Sequence, residues 1–143
     1  MSDVLIVDDD AAIRRLVRRV VERDGVSAAE AASAEDALAL ASQHPPKVAF
    51  CDVELLPGRP NGFWLARELN RLLPATVVVM MTSKDQVDAV VSGVRAGSHV
   101  YLVKPVPLDR LRQALQASLA EHAARVSSGA STPRAPLDAE ASG

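Results

Sequence analysis

The sequence predicts an α/β domain built on a doubly wound, five-stranded parallel sheet with five helices. Three observations over its 143 residues predict that fold. Five short apolar runs alternate with five helical patterns, and only a few residues connect them. Within several runs apolar residues follow one another without alternation, so both faces of the sheet must be covered. With 48% hydrophobic and 24% charged residues, the chain can bury a core without staples.

The first strand is Val4-Leu5-Ile6-Val7, which runs straight into Asp8-Asp9-Asp10. From Ala12 to Arg23 the apolar residues Ile13, Leu16, Val17, Val20 and Val21 recur at helical spacing, and Gly25 stops the helix. Arg14, Arg15, Arg18 and Arg19 take the opposite side and read as a solvated face. Residues 26 to 31 form the weakest strand, since alanine suits a helix better; the neighbouring elements demand it. Ser33-Ala34-Glu35-Asp36 is a capping signature for a second helix, with Ala37, Leu38 and Ala41 on one face and Pro45-Pro46 as its end.

The third strand, Val48-Ala49-Phe50-Cys51-Asp52, is apolar until it stops on an acid. Gly62 to Leu73 reads as a helix with Phe63, Leu65, Leu69, Leu72 and Leu73 as its apolar set, closed by Pro74. Thr76 to Met81 is a fourth strand ending in Thr82 and Ser83, and residues 85 to 96 form a helix ended by Gly97. The fifth strand, Val100-Tyr101-Leu102-Val103, meets Lys104-Pro105, and a final helix covers 107 to 126. That helix carries a stripe of Leu108, Leu111, Leu115 and Leu119, extended by Val126, and at about 1.5 Å per residue it should project past the sheet. Residues 127 to 143 have almost no large apolar side chain and are expected to form a disordered tail, leaving 1 to 126 as the domain and no output domain.

Composition narrows the function. A net charge of -2 and a pI near 5.9 give no global attraction to nucleic acid or to an anionic membrane, and neither is expected as a partner. Cys51 is the single cysteine, so no intrachain disulfide forms; inside an apolar strand it fills core. With no basic leader and no apolar run of about 18 residues, a cytoplasmic location is expected.

Four of the five strands end in polar groups: Asp8-Asp9, Asp52, Thr82-Ser83 and Lys104. In a parallel sheet these lie on one edge, where such folds bind ligands. Clustered carboxylates repel unless a hard cation sits among them, and Mg²⁺ suits such a set because it also accepts phosphate oxygens. A hydroxyl and an ammonium converging there supply a hydrogen-bond donor and a counter-charge for a phosphoryl group. The chemistry implied is phosphoryl transfer to Asp52, since a carboxylate can serve as the nucleophile.

Over about residues 3 to 125 the chain resembles the response-regulator receiver domains of two-component signalling, with their flavodoxin-like fold, and is similar to the chemotaxis response regulator. By that resemblance Asp8 and Asp9 match the acidic pair, Asp52 the phosphoacceptor, Thr82 the switch hydroxyl, Tyr101 the rotating aromatic and Lys104 the lysine before Pro105. It implies Mg²⁺ held by Asp9, Asp52 and the main-chain carbonyl of Glu54, with Asp8 holding metal-bound water. It also implies a phosphodonor that is a histidine kinase or histidine phosphotransfer protein. A downstream partner, or a second copy of the chain, would use the helix at 85 to 96, the fifth strand and the final helix. Such a domain catalyses only its own phosphorylation and dephosphorylation.

Two features depart from the family. The stretch from Val53 to Asn61 makes the loop after Asp52 about two residues longer, with the Glu54 side chain free near the site, and Ser83 brings a second hydroxyl where small residues are common. Two other functions compete with this one. A degenerate receiver that binds partners without phosphorylation would lack one of the site residues, and none is missing. A haloacid-dehalogenase-type phosphohydrolase usually has a second Asp two residues after its nucleophile, where Glu54 stands here.

Overall fold

A computed structural model describes residues 2–57, 60–83 and 100–129. In chain order the elements are β1 (Val4–Val7), α1 (Ala11–Arg23), β2 (Ala28–Ala31), α2 (Ala34–Gln43), β3 (Val48–Asp52), α3 (Gly62–Leu72), β4 (Val77–Ser83), β5 (Val100–Lys104) and α4 (Leu108–Ser127). The helix expected over 85 to 96 and most of the expected tail lie outside the described residues. Among those described, no helix is long and apolar enough to cross a membrane.

All strand pairs are parallel, and the sheet order is β2-β1-β3-β4-β5. Successive side chains on a strand point to opposite faces, and this alternation sorts the core into two layers. Val4, Ile6, Val48, Phe50, Val79, Met81 and Leu102 pack under α1 and α4 with Val17, Val21, Leu111 and Leu115. Leu5, Val7, Ala49, Cys51, Val78 and Met80 face α2 and α3, where Ala34, Ala37, Ala41, Leu65 and Leu69 meet them. The expected doubly wound sheet is therefore present.

Local signals set the element ends. Asp10 caps α1 by accepting from the Ala12 N–H, Ser33 caps α2 through Asp36, and Asn61 caps α3 through Trp64. Just past α1, Gly25 takes φ +76°, a left-handed turn that suits glycine after a helix. The second strand is shorter than expected, covering Ala28–Ala31 of the predicted 26 to 31. It survives its alanine content because narrow side chains let α2 approach closely, and Ala31, Ala34, Ala37 and Ala41 are all buried together.

The final helix matches its expected length but not its full stripe. Leu111 and Leu115 are buried and Leu119 is partly so, whereas Leu108 is 52% exposed and Val126 39%. Leu108 opens the first turn, before the helix crosses onto the sheet, so its position in the stripe brings no burial. At the other end α4 does not fray after Leu119. Arg125 donates to the carbonyls of Pro74 (3.3 Å) and Thr76 (3.0 Å), and His122 Nδ1 lies 2.9 Å from the carbonyl of Ala75. These bonds tie its last turns to the start of β4.

Candidate functional site

The strand alternation that builds the core also builds the site. Asp8 continues the parity of Val4 and Ile6, Asp52 that of Val48 and Phe50, and Lys104 that of Leu102, so all three leave the sheet on the α1 and α4 side. β1 and β3 are neighbours in register, with Val7 beside Cys51, which places Asp8 next to Asp52. Lys104 comes from β5, and its stem spans β4. Its ammonium lies 2.8 Å from Asp8 Oδ2 and 3.4 Å from Asp52 Oδ2.

Around them a cleft of about 310 Å³ is lined by Asp9, Asp52, Glu54, Thr82, Ser83 and Lys104, with Val53, Leu55 and Pro57. Asp8 is fully buried, Asp52 is 8% exposed and Asp9 is exposed. The Glu54 N–H is 3.4 Å from Asp52 Oδ1, while the Glu54 side chain is exposed. Thr82 is buried, and its hydroxyl donates to the Ser83 carbonyl at 3.3 Å. The structure thus brings Asp8, Asp9, Asp52, Glu54, Thr82, Ser83 and Lys104 to one strand edge. Tyr101 stands apart on β5 beside Met80, and its buried hydroxyl has no hydrogen-bond partner among the described residues. Burial pushes its phenol pKa up.

Two close fits hold Asp52 in place. The Val53 N–H donates to the Met81 carbonyl, prolonging the β3–β4 ladder by one bond. Gly62, at the start of α3, donates its N–H to the Val53 carbonyl. A Cβ at Gly62 would stand 2.1 Å from the Asp52 carbonyl oxygen, so only glycine fits there.

The site's electrostatics follow from burial and crowding. Burial, and then the negative charge of Asp8, push the Asp52 carboxyl up to about 6; Lys104 and the Glu54 N–H pull the other way without winning. Burial pulls Lys104 down, but its hydrogen bond to Asp8 and the charges of Asp52 and Asp8 outweigh it, and its pKa is raised. The thiol of Cys51, fully buried beside Asp52, is pushed up to about 12, in keeping with a core role.

Asp8, Asp9 and Asp52 each offer a carboxylate oxygen, and these oxygens lie within 4.8 Å of one another. Among the described residues these three carboxylates face one ammonium, an excess of negative charge that an oxygen-binding divalent cation would balance. The donor set fits Mg²⁺ in kind.

Missing from the sequence expectations was Arg14. Its guanidinium donates to the Asp8 carbonyl at 2.6 Å and to Glu30 Oε1 at 3.0 Å, and Arg18 meets Glu30 Oε2 at 2.8 Å. For Arg14 and Arg18 the solvated-face assignment is therefore corrected: a carboxylate on β2 draws them across α1. Glu30 is the one acid of the weak second strand, a signal that only the β1–β2 register, Ile6 beside Glu30, makes readable.

Fold and site define a flavodoxin-like α/β domain with an acidic, lysine-bridged cleft at the carboxyl edge of its sheet. The chain belongs to the response regulator receiver domain family of two-component systems, which its sequence matches over residues 4–116. PilH of Pseudomonas aeruginosa is 35% identical over 122 residues, which are 84% of this chain and 99% of that protein. The transcriptional regulatory protein ZraR of Salmonella typhimurium is 32% identical over 118 residues, 82% of this chain but 26% of that protein, so the chain spans about a quarter of that relative's length. Among solved structures, the receiver domain of NtrX from Brucella abortus superposes with a TM-score of 0.77 at 31% identity, covering 82% of this chain and 98% of that one. A CheY-like receiver domain from Methanospirillum hungatei gives 0.78 at 28% identity over 87% of this chain and 98% of that one.

Proposed function

We propose that this chain is a phosphoryl-accepting signalling module in which Asp52 is the acceptor, and that it works as a single domain. A carboxylate oxygen of Asp52 attacks the phosphorus of a phosphohistidine on a histidine kinase or histidine phosphotransfer protein. The P–N bond breaks, the imidazole leaves with its electron pair and takes up a proton, and an aspartyl phosphate remains. The observation that carries this function is the placement of a buried carboxylate, Asp52, in a cleft beside the acids Asp8 and Asp9, the hydroxyls of Thr82 and Ser83 and the ammonium of Lys104.

Asp9, Asp52 and the Glu54 carbonyl would hold Mg²⁺, with Asp8 one step behind through water. When bound, the ion supplies positive charge that lets two anions approach. Lys104 is shared between Asp8 and Asp52 in the resting chain and, after transfer, pairs with the phosphoryl oxygens. Thr82 gives up its bond to the Ser83 carbonyl and donates to the phosphoryl group, drawing the end of β4 inward. Tyr101, whose hydroxyl has no described partner to lose, reorients with it.

The surface that changes includes β5 and the first turn of α4, where Val100, Val103 and Leu108 are 45%, 44% and 52% exposed. A protein partner or a second copy of the chain reads that change. Incubation with acetyl phosphate and Mg²⁺, followed by intact mass, tests the assignment. Wild type gains one phosphoryl group only with Mg²⁺, and Asp52→Asn gains none; equal labelling of the variant removes Asp52 as acceptor.

A further inference from the structure

Every polar atom of the Asp8 backbone and carboxylate is engaged. Its N–H donates to the Ala31 carbonyl, Oδ1 accepts from the Asp10 N–H, Oδ2 accepts from Lys104, and its carbonyl accepts from Arg14. The last contact matters most for Asp9. A peptide group is planar, so fixing the Asp8 carbonyl also fixes the Asp9 N–H and Cα, the point from which the Asp9 side chain leaves the backbone. Asp9 is exposed and no hydrogen bond of its own carboxylate orients it among the described residues.

Arg14 is itself held. Its side chain is 18% exposed, and Glu30, on the edge strand β2, takes its Nε while accepting Arg18 on the other oxygen. The guanidinium can serve both partners because its donors lie in a rigid planar fork, which a lysine lacks. Hydrogen bonds from Arg18 pull the Glu30 pKa down against burial, with those from Arg14 acting alongside.

We propose that Arg14, oriented by Glu30, is a positioning residue for the acidic cluster, setting the Asp8–Asp9 peptide so that the Asp9 carboxylate meets Asp52 at cation-binding distance. This rests on the reading of Asp8, Asp9 and Asp52 as a Mg²⁺ site. Groups that orient metal ligands from behind cost about 10–100-fold in affinity when lost.

The test is Mg²⁺ titration calorimetry of the full chain and three variants, each checked for its fold by circular dichroism. Arg14→Ala should weaken Mg²⁺ binding about tenfold. Arg14→Lys should recover only part of that loss, because it keeps the charge without the fork. Arg18→Ala removes an ion pair to the same Glu30 without touching Asp8, so it lowers stability yet keeps wild-type Mg²⁺ affinity; a merely structural role would move both variants together. Should Arg14→Ala not fold, Glu30→Gln takes its place, with an expected loss of a few-fold. Wild-type affinity in Arg14→Ala or in its replacement overturns this assignment alone. A wild-type chain that takes up no Mg²⁺ overturns the cation site and this assignment with it.

Discussion

Replacing Asp52 with asparagine should make the metal-free protein more stable, even as it abolishes phosphorylation. In the folded chain burial and the neighbouring Asp8 raise the Asp52 carboxyl to about 6 from an ordinary 3.8. At about 1.4 kcal/mol per pH unit, keeping this group ionised costs the folded state up to about 3 kcal/mol at pH 8. The folded value lies above the unfolded one, so this is a destabilisation that is fully present above about pH 6. It fades as pH falls through 6 and is gone below about 4. Asparagine keeps the shape without the charge, but it leaves Lys104 with one carboxylate fewer, so the net gain should be about 1–3 kcal/mol. For a chain of this size that corresponds to a Tm about 3–10 °C higher. Thermal melts in EDTA at pH 8, 6 and 4.5 measure it directly. The variant should melt above wild type at pH 8, and by pH 4.5 the gap should have narrowed to about a third. Adding Mg²⁺ should raise the wild-type Tm and leave the variant where it was. A variant equal to or less stable than wild type at pH 8 without metal would refute the claim that Asp52 is held ionised at a cost.

Gly62→Ala should cost about 2–4 kcal/mol in urea unfolding despite alanine's better helix propensity, since its Cβ would strike the Asp52 carbonyl; a neutral effect would show that α3 can shift away from the acceptor. Lys104→Met leaves Asp8 and Asp52 side by side without their counter-charge and should cost about 3–5 kcal/mol at pH 8, with the loss shrinking as pH falls toward about 6, because Asp52 titrates higher without the lysine; a pH-independent loss would point to packing instead of charge. Arg125→Ala removes two bonds to the carbonyls at the start of β4 and should cost about 1–3 kcal/mol, with faster amide exchange confined to the last turns of α4; unchanged exchange there would mean the tie does not hold the helix end.

Much of the fold could be read from residue pattern. Unbroken apolar runs such as Val77 to Met81 can only be strands covered on both sides, and the acids or hydroxyls that end them mark one edge of the sheet. Because side chains alternate with period two, the same strands that fill the core also aim Asp8, Asp52 and Lys104 at one another. What the pattern hid depends on contacts between distant segments. Alanine in β2 argues for helix by propensity, and only packing beneath the alanines of α2 makes it a strand. Leu108 fits a helical stripe yet stays in water, because periodicity says nothing about where a helix first touches its sheet. Arg14 looked like one arginine among several; its bond to the Asp8 carbonyl needs both the α1 rotation and the β1–β2 register.

The most direct measurement is chemical mapping of the phosphorylated residue. After reaction with acetyl phosphate and Mg²⁺, borohydride reduces an acyl phosphate to the alcohol, turning the modified aspartate into homoserine, which peptide sequencing by mass spectrometry locates. The account predicts homoserine at position 52 and at no other acid, with none in a sample that received EDTA. Homoserine at position 8 or 9, or labelling that persists unchanged in EDTA, would contradict it.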